Sequence, residues 1–288
     1  MITKSSKCPT DVLERVSNLV FKNGDLAREN FFLCGNPFEI NRVLASSDSW
    51  YVLVDIRPTA LFKLEISHPI ARISQICVNS DDSLERVMSS LRRDLRKMRI
   101  TSVTVRVPPN DMESLNASGF EKQDSYVRSS RVPAVTEIMP ILPLVNVTRK
   151  ELPLLARLMY DAYAKTNHSF SDIQSAQKLL QFIMSGSRGE YLSDASYASG
   201  AFQNLVSACL LTAGLPGQAE IAQLFTHPLY RARGLATVEI GVAMNRLHES
   251  GIRRLIVWNR ESDEVVRRLL TKLDFGEDRK AVELAAKT

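Results

Sequence analysis

The sequence predicts an α/β (α+β) protein built as two similar units in tandem. Three observations carry that expectation. Short runs rich in Val, Ile, Leu and aromatics alternate with amphipathic helical stretches, the same order of elements occurs twice, and a proline-punctuated segment separates the two occurrences. A chain of 288 residues is long for one ordinary domain and comfortable for two, since domains run to roughly 100–200 residues.

In the first half, residues 1–45 look helical and hold no readable chemistry. Extended segments follow at 50–56, 60–66 and 71–78, then a helix over 83–98, a strand at 102–107, a short helix closing on Ser118-Gly119-Phe120, and a polar strand toward Arg131. The second half opens on helices at 150–165 and 172–185. It then repeats the order: extended segments at 196–202, 205–212 and 219–225, a helix over 234–250, a strand at 254–258, a helix over 262–273, and Phe275 opening a last strand. Between them, Pro133, Pro140 and Pro143 interrupt helix and central strand alike. The expected division is 1–138 and 139–288.

Composition excludes several classes. The 44% apolar and 24% charged fractions are those of globular proteins rather than disordered ones. No run approaches the ~18 apolar residues of a membrane span, and no apolar stretch follows the basic N-terminus as in a secretory signal. Cys8, Cys34, Cys77 and Cys209 lack metal-ligand spacing, so free thiols in a reducing, cytoplasmic setting and no metal are expected. The excess of 37 basic over 32 acidic residues, +5 in all, suits solubility as well as polyanion binding. The densest basic run, Arg92 to Arg99, lies on a helix whose other face carries Leu84, Val87, Met88, Leu91, Leu95 and Met98. Its arginines are therefore read as a solvated face, and nucleic acid is not an expected partner.

The chemistry is concentrated in residues 220–237, where a strand runs into a short loop and the loop opens a helix at Gly234. Unpaired amides at a helix start, aided by the helix dipole, make an anion site. Gly234 lets main chain approach a ligand, Ala236 keeps the first turn open, and Arg231 and Arg233 offer forked donors to phosphate. A pyrophosphate suits such a site.

Arg231-Ala232-Arg233-Gly234-Leu235-Ala236 resembles the Arg/Gln-x-x-Gly-x-Gly/Ala signature of the GCN5-related N-acetyltransferase (GNAT) superfamily. The approach through Leu224 to Tyr230, the following strand, and the helix closing on Leu273-Asp274-Phe275 are similar to that family's neighbouring elements. The resemblance covers about residues 145–288. It implies two GNAT folds in tandem, each a mixed, mostly antiparallel sheet flanked by helices, and acetyl-CoA as cosubstrate. The pyrophosphate would lie on Arg231, Ala232, Arg233, Gly234, Leu235, Ala236 and Thr237. The pantetheine arm would pair with backbone near Leu224, Phe225 and Thr226, and the amide of Phe225 or Thr226 would polarise the thioester. The reaction it implies is direct attack by an amine, with no covalent enzyme intermediate.

Glu220, eleven residues before Arg231, stands at the spacing of the catalytic glutamate of histone acetyltransferases in this superfamily; the other reading is an edge-of-sheet glutamate facing solvent. Gln223 and His227 are the alternatives, and His227 also reads as a turn-fixing residue before Pro228. Leu270 occupies the position of the family's acidic tyrosine, Asp274 that of its glycine and Asp263 that of a frequent asparagine, which leaves the general acid unassigned. Tyr160, Tyr163 and His168 are candidate substrate residues beside Asp161; Tyr160 and Tyr163 also read as half-buried helix residues. The first half keeps Gly119-Phe120, has Leu115 at the tyrosine position, and places Asp81 and Asp82 where phosphate donors would be needed. It is read as a degenerate GNAT-like unit with no CoA site. The expected acceptor is a small-molecule amine or amino-acid derivative, with a protein lysine or N-terminus, or non-catalytic acyl-CoA binding, as alternatives.

Overall fold

The structure, a computed structural model, describes residues 2–22, 40–41, 44–45, 50–54, 58–78, 83–164, 166, 169–186, 189–201, 204–213 and 217–288. It divides into two compact units: residues 1–127, 260–262 and 279–288 in one, 128–259 and 263–278 in the other.

Unit 1 begins with β1 (Ile2–Lys4) and α1 (Thr10–Lys22), followed by β2 (Trp50–Val54), β3 (Pro58–Ser67) and β4 (Ile70–Val78). Then come α2 (Leu84–Lys97), β5 (Ser102–Val107), α3 (Met112–Ala117) and β6 (Glu121–Arg131). β1 to β4 pair antiparallel in sequence order, whereas β4 and β5 run parallel, as a crossover helix between them requires. On one face Leu13, Val16 and Val20 of α1 pack with Val52, Leu61 and Cys77. On the other, Val87, Met88, Leu91 and Leu95 of α2 pack over Phe62, Ile73 and Val105, the apolar face expected from their spacing. Two polar residues of α2 depart from the solvated reading. Arg92 donates to the carbonyls of Ser118 and Lys287, and buried Asp94 accepts from the Ile2 amide at 2.9 Å.

Unit 2 carries β7 (Leu144–Asn146), α4 (Leu152–Tyr163), α5 (Ile173–Met184), β8 (Tyr197–Ala201), β9 (Asn204–Ala213), β10 (Gln218–Thr226), α6 (Leu235–Glu249), β11 (Arg254–Arg260), α7 (Glu264–Lys272) and the first residues of β12 (Gly276–Lys287). β7 to β10 are antiparallel neighbours, and β10 and β11 are parallel. Helix starts follow local chemistry. Thr148 and Glu151 form a capping box before α4, Asp172 accepts from Ser175 N at α5, and Asp263 accepts from Val266 N at α7. One core lies between the sheet and α4 and α5, around Leu155, Met159, Leu180 and Phe225. The other lies between the sheet and α6 and α7, around Ile221, Ile240, Met244 and Leu270.

The chain does not divide at 138/139 in space. Residues 279–288 of β12 belong to unit 1, where Val282 through Lys287 pair antiparallel with Val107 through Ser102 of β5. Val282, Leu284 and Ala286 complete its core. Residues 128–138 belong to unit 2. Strand pattern fixes which face is buried and leaves the partner strand open, so this exchange is invisible in the sequence.

The repeat extends to backbone detail. In unit 1 a register shift between Lys63 and Leu64 leaves Ser74 as an extra residue in β4, and the parallel ladder to β5 covers only Ile70–Ile73. In unit 2 a shift leaves Ala222 extra in β10, and the ladder to β11 covers only Gln218–Glu220.

Candidate active site

The bulge at Ala222 sets the site. Before it, Ala219 and Ile221 face α6 and Glu220 faces the α4–α5 side; after it the parity reverses. Leu224 and Thr226 now face α6, whereas Phe225 is buried among Leu155, Met159 and Leu180. Gln223 accepts from the Tyr163 hydroxyl at 3.4 Å. β10 continues six residues past the end of its ladder with β11, from Ile221 to Thr226. That stretch of strand edge is where an extended ligand can pair.

At Thr226 the strand enters the loop. The ring Nδ1 of His227 accepts from Leu229 N at 3.3 Å, and the ring meets Tyr230 edge-on at 5.8 Å, so this histidine closes a turn. Arg231 is a strap. Its guanidinium donates to Ala162 O at 2.7 Å and Thr226 O at 3.3 Å, tying the loop to the end of α4 and to β10. Arg233 lies over the Tyr230 ring at 5.1 Å and is exposed.

Ala232 (φ 59°) and Gly234 (φ 81°) both take left-handed backbone, and α6 starts at Leu235 without a side-chain cap. Val238 N reaches Gly234 O. Among the described residues no acceptor takes the amides of Gly234, Leu235, Ala236 or Thr237. Four consecutive amides at the positive end of a fifteen-residue helix form an anion cradle. A Cβ on Gly234 would stand 3.3 Å from Ile141 Cδ1, so little room is spare there. The linker passes along this helix: Thr136 and Asn245 exchange two hydrogen bonds of 2.8 and 2.9 Å, and Pro133 O lies 3.2 Å from His248 Nδ1.

No family model matches the sequence, and no curated protein matches it. Solved structures do. The GCN5-related N-acetyltransferase from Sphaerobacter thermophilus superposes with a TM-score of 0.69 over 100% of this chain and 95% of its own, at 10% identity. A tandem GNAT protein from the clavulanic acid biosynthesis pathway gives 0.67 over 100% and 97%, at 14% identity. A GCN5-related N-acetyltransferase from Anabaena variabilis gives 0.56 over 99% and 72%, at 12%. The chain has the tandem GNAT fold.

Within that GNAT fold the remaining candidates fall as follows. Glu220 is half-buried on the α4–α5 side opposite Thr212. Tyr160 and Tyr163 are half-buried against the same core, and the Tyr163 ring meets Phe170 edge-on at 5.7 Å. Burial, and then the charge of Asp263, push the Tyr163 phenol above its usual value, against the pull of Arg231. His168, Asp81 and Asp82 lie outside the described residues.

Leu270 is buried in the core beneath α6, and its carbonyl accepts from Phe275 N at 3.0 Å; Leu115 and Phe120 repeat that bond at 3.1 Å in unit 1. Each leucine thus anchors a helix C-terminal motif.

One residue escaped the sequence reading. Glu239 of α6 is fully buried, with Ser199 Oγ 2.6 Å from one carboxyl oxygen and Ser207 Oγ 2.9 Å from the other. Burial pushes its carboxyl up to about 8, against the hydroxyl bonds. The signal was present: Glu239 sits among Val238, Ile240 and Val242, on the face shared with Leu235 and Ala243.

Proposed function

We propose that unit 2 is an acetyl-CoA-dependent N-acetyltransferase that transfers acetyl directly to the primary amine of a small molecule or amino-acid derivative. One observation carries this reading: the β10–β11 ladder ends at Glu220, and the strand edge it leaves leads into four unpartnered amides, Gly234 to Thr237. An extended pantetheine arm suits the first as an added strand, and a pyrophosphate suits the second. Arg233 adds exposed positive charge, while Ala232 and Arg231 shape the loop. Solved neighbours named as N-acetyltransferases support the assignment through the shared fold.

The chain's contribution is positioning, a base and stabilisation of developing charge. Glu220 is the base in this reading. Gln223 has no basic group, and His227 already spends its Nδ1 lone pair on the Leu229 amide. The amide of Phe225 or Thr226 meets the thioester oxygen, and Tyr160 and Tyr163 line the acceptor side. As the amine attacks, the C–S bond breaks, its electron pair leaves with sulfur, and the nitrogen proton passes to Glu220. Unit 1 holds no CoA: Ser83 caps α2 by accepting from Arg86 N, closing the turn that α6 leaves open. A cytoplasmic, reducing setting belongs to this reading, supported by cysteines without disulfide or metal-ligand spacing.

Leu270 favours a second reading, a non-catalytic acyl-CoA-binding protein, because the core occupies the place of an acid. Thiol release from acetyl-CoA over a panel of primary amines, run beside heat denaturation with CoA, separates the two. At ~100-fold excess over Kd, CoA is expected to add about 2.7 kcal/mol of stability. Stabilisation with amine-dependent thiol release supports the enzyme, and stabilisation alone supports the binder. Absence of both removes the site.

A further inference from the structure

Glu239 lies five residues beyond Gly234, about 7–8 Å along the helix axis from the cradle. It is bonded into a chain of side chains that leads to Thr226, where β10 enters the loop before the cradle. Ser207 Oγ, on β9, touches both the Glu239 carboxyl at 2.9 Å and Thr226 Oγ1 at 2.9 Å. Thr226 is half-buried, and its carbonyl accepts from the Arg231 strap.

We propose that Glu239 is a positioning residue for the phosphate site, acting through Ser207 on the Thr226 hydroxyl and requiring a neutral carboxyl when the α6 start holds an anion. The proposal rests on the CoA reading of unit 2.

Hydroxyl protons set the direction of this chain. Ser207 and Thr226 have one hydroxyl proton each. With Glu239 neutral, its one proton can go to Ser199 or to Ser207; in the second arrangement Ser207 donates to Thr226, and Thr226 is left to donate outward. With Glu239 ionised, Ser207 must donate to the carboxylate, and Thr226 turns its proton inward to Ser207. The ionised carboxylate also places a buried negative charge under the amides that hold the pyrophosphate, where screening is weak.

Among the described residues, the titratable group facing Glu239 from the strands is the Cys209 thiol, held neutral by burial and then by Glu239 itself. Tyr197 on β8 donates to Asp194 O. Asp194 pairs with Arg246 two turns further along α6, and His248 at the helix end meets Pro133. None of these bridges the carboxyl to Thr226, which the Ser207 hydroxyl does.

The test is calorimetric titration with desulfo-CoA, which lacks the ionising thiol, from pH 6.5 to 9.5, on wild type and Glu239→Gln. The ratio of their Kd values is expected to shift roughly tenfold over that range, wild type weakening as pH rises. At pH 8, in buffers of differing ionisation enthalpy, wild type is expected to take up about 0.4 proton on binding, and the variant none. If Glu239→Gln fails to fold, the wild-type proton uptake decides alone. A constant Kd ratio, or wild-type binding without proton uptake, overturns this proposal and leaves the CoA site standing. No binding of desulfo-CoA by wild type at any pH overturns both.

Discussion

At Gly234 the backbone takes φ 81° and at Asp274 φ 55°, so two residues accept a left-handed conformation that costs a side chain energy. Only the first is a glycine. Asp274 ends α7 where Gly119, at φ 77°, ends α3 in unit 1. Asp274→Gly is expected to raise stability by about 0.5–1 kcal/mol in denaturant titration, since the ion pair it loses, with Arg131 at 3.8 Å, leaves the carboxylate exposed.

Glu239 makes a pH prediction. Its carboxyl is held at about 8 when folded, against roughly 4.3 unfolded. Between those values the folded state holds the extra proton, so stability falls as pH rises from about 4.5 to 8, by on the order of 3–5 kcal/mol. Glu239→Gln is expected to flatten that window. Asp94, Glu283 and Asp278 act on the acid side: burial opposes their ionisation, but hydrogen bonds and neighbouring cations hold them below the usual range. Their contribution is lost as pH falls. Gly234 and the arginines were legible because sequence shows residue type directly. The role of Arg231 was not, because its acceptor Ala162 O is a main-chain group 69 residues away.

The element that decides the site is β10, whose nine residues change faces at Ala222. Alternation shows a strand, and strand type and limits were legible to within two residues. A bulge adds one residue without a distinctive side chain, so the reversal that sends Phe225 to one core and Thr226 to the other was not. The short edge strands β1 and β7, three residues each, also escaped, because three residues show no period. For the loop, Arg231→Ala and Arg233→Ala are expected to separate. The first removes the bonds to the Ala162 and Thr226 carbonyls and should cost about 1–3 kcal/mol of stability as well as CoA affinity. The second should leave the melting temperature within a degree and weaken CoA alone. Thermal denaturation with and without CoA checks both; equal losses in melting temperature would mean that the strap is not what Arg231 supplies.

For the whole molecule, the repeated order of elements was legible as two α/β units, and the superpositions give the same fold across the full chain. The assignment of β12 was not, since an alternating strand fits any open sheet edge of matching pattern. Deleting residues 279–288 is expected to destabilise unit 1, because Val282 and Leu284 leave its core, a loss of roughly 3–6 kcal/mol from two branched side chains. Differential scanning calorimetry should show one transition lowered, while CoA continues to raise the other.

On the proposed function, unit 2 holds the single CoA of this chain through the amides at the start of α6. Calorimetric titration of the full chain with CoA, on wild type and Gly234→Val, tests it most directly. Valine at φ 81° is strained, and its Cβ would stand 3.3 Å from Ile141 Cδ1, so the turn that presents the amides must shift. The expected result is one CoA per wild-type chain and none for the variant, with the variant still folded by circular dichroism. Two CoA per wild-type chain, or undiminished binding by a folded Gly234→Val, would contradict it.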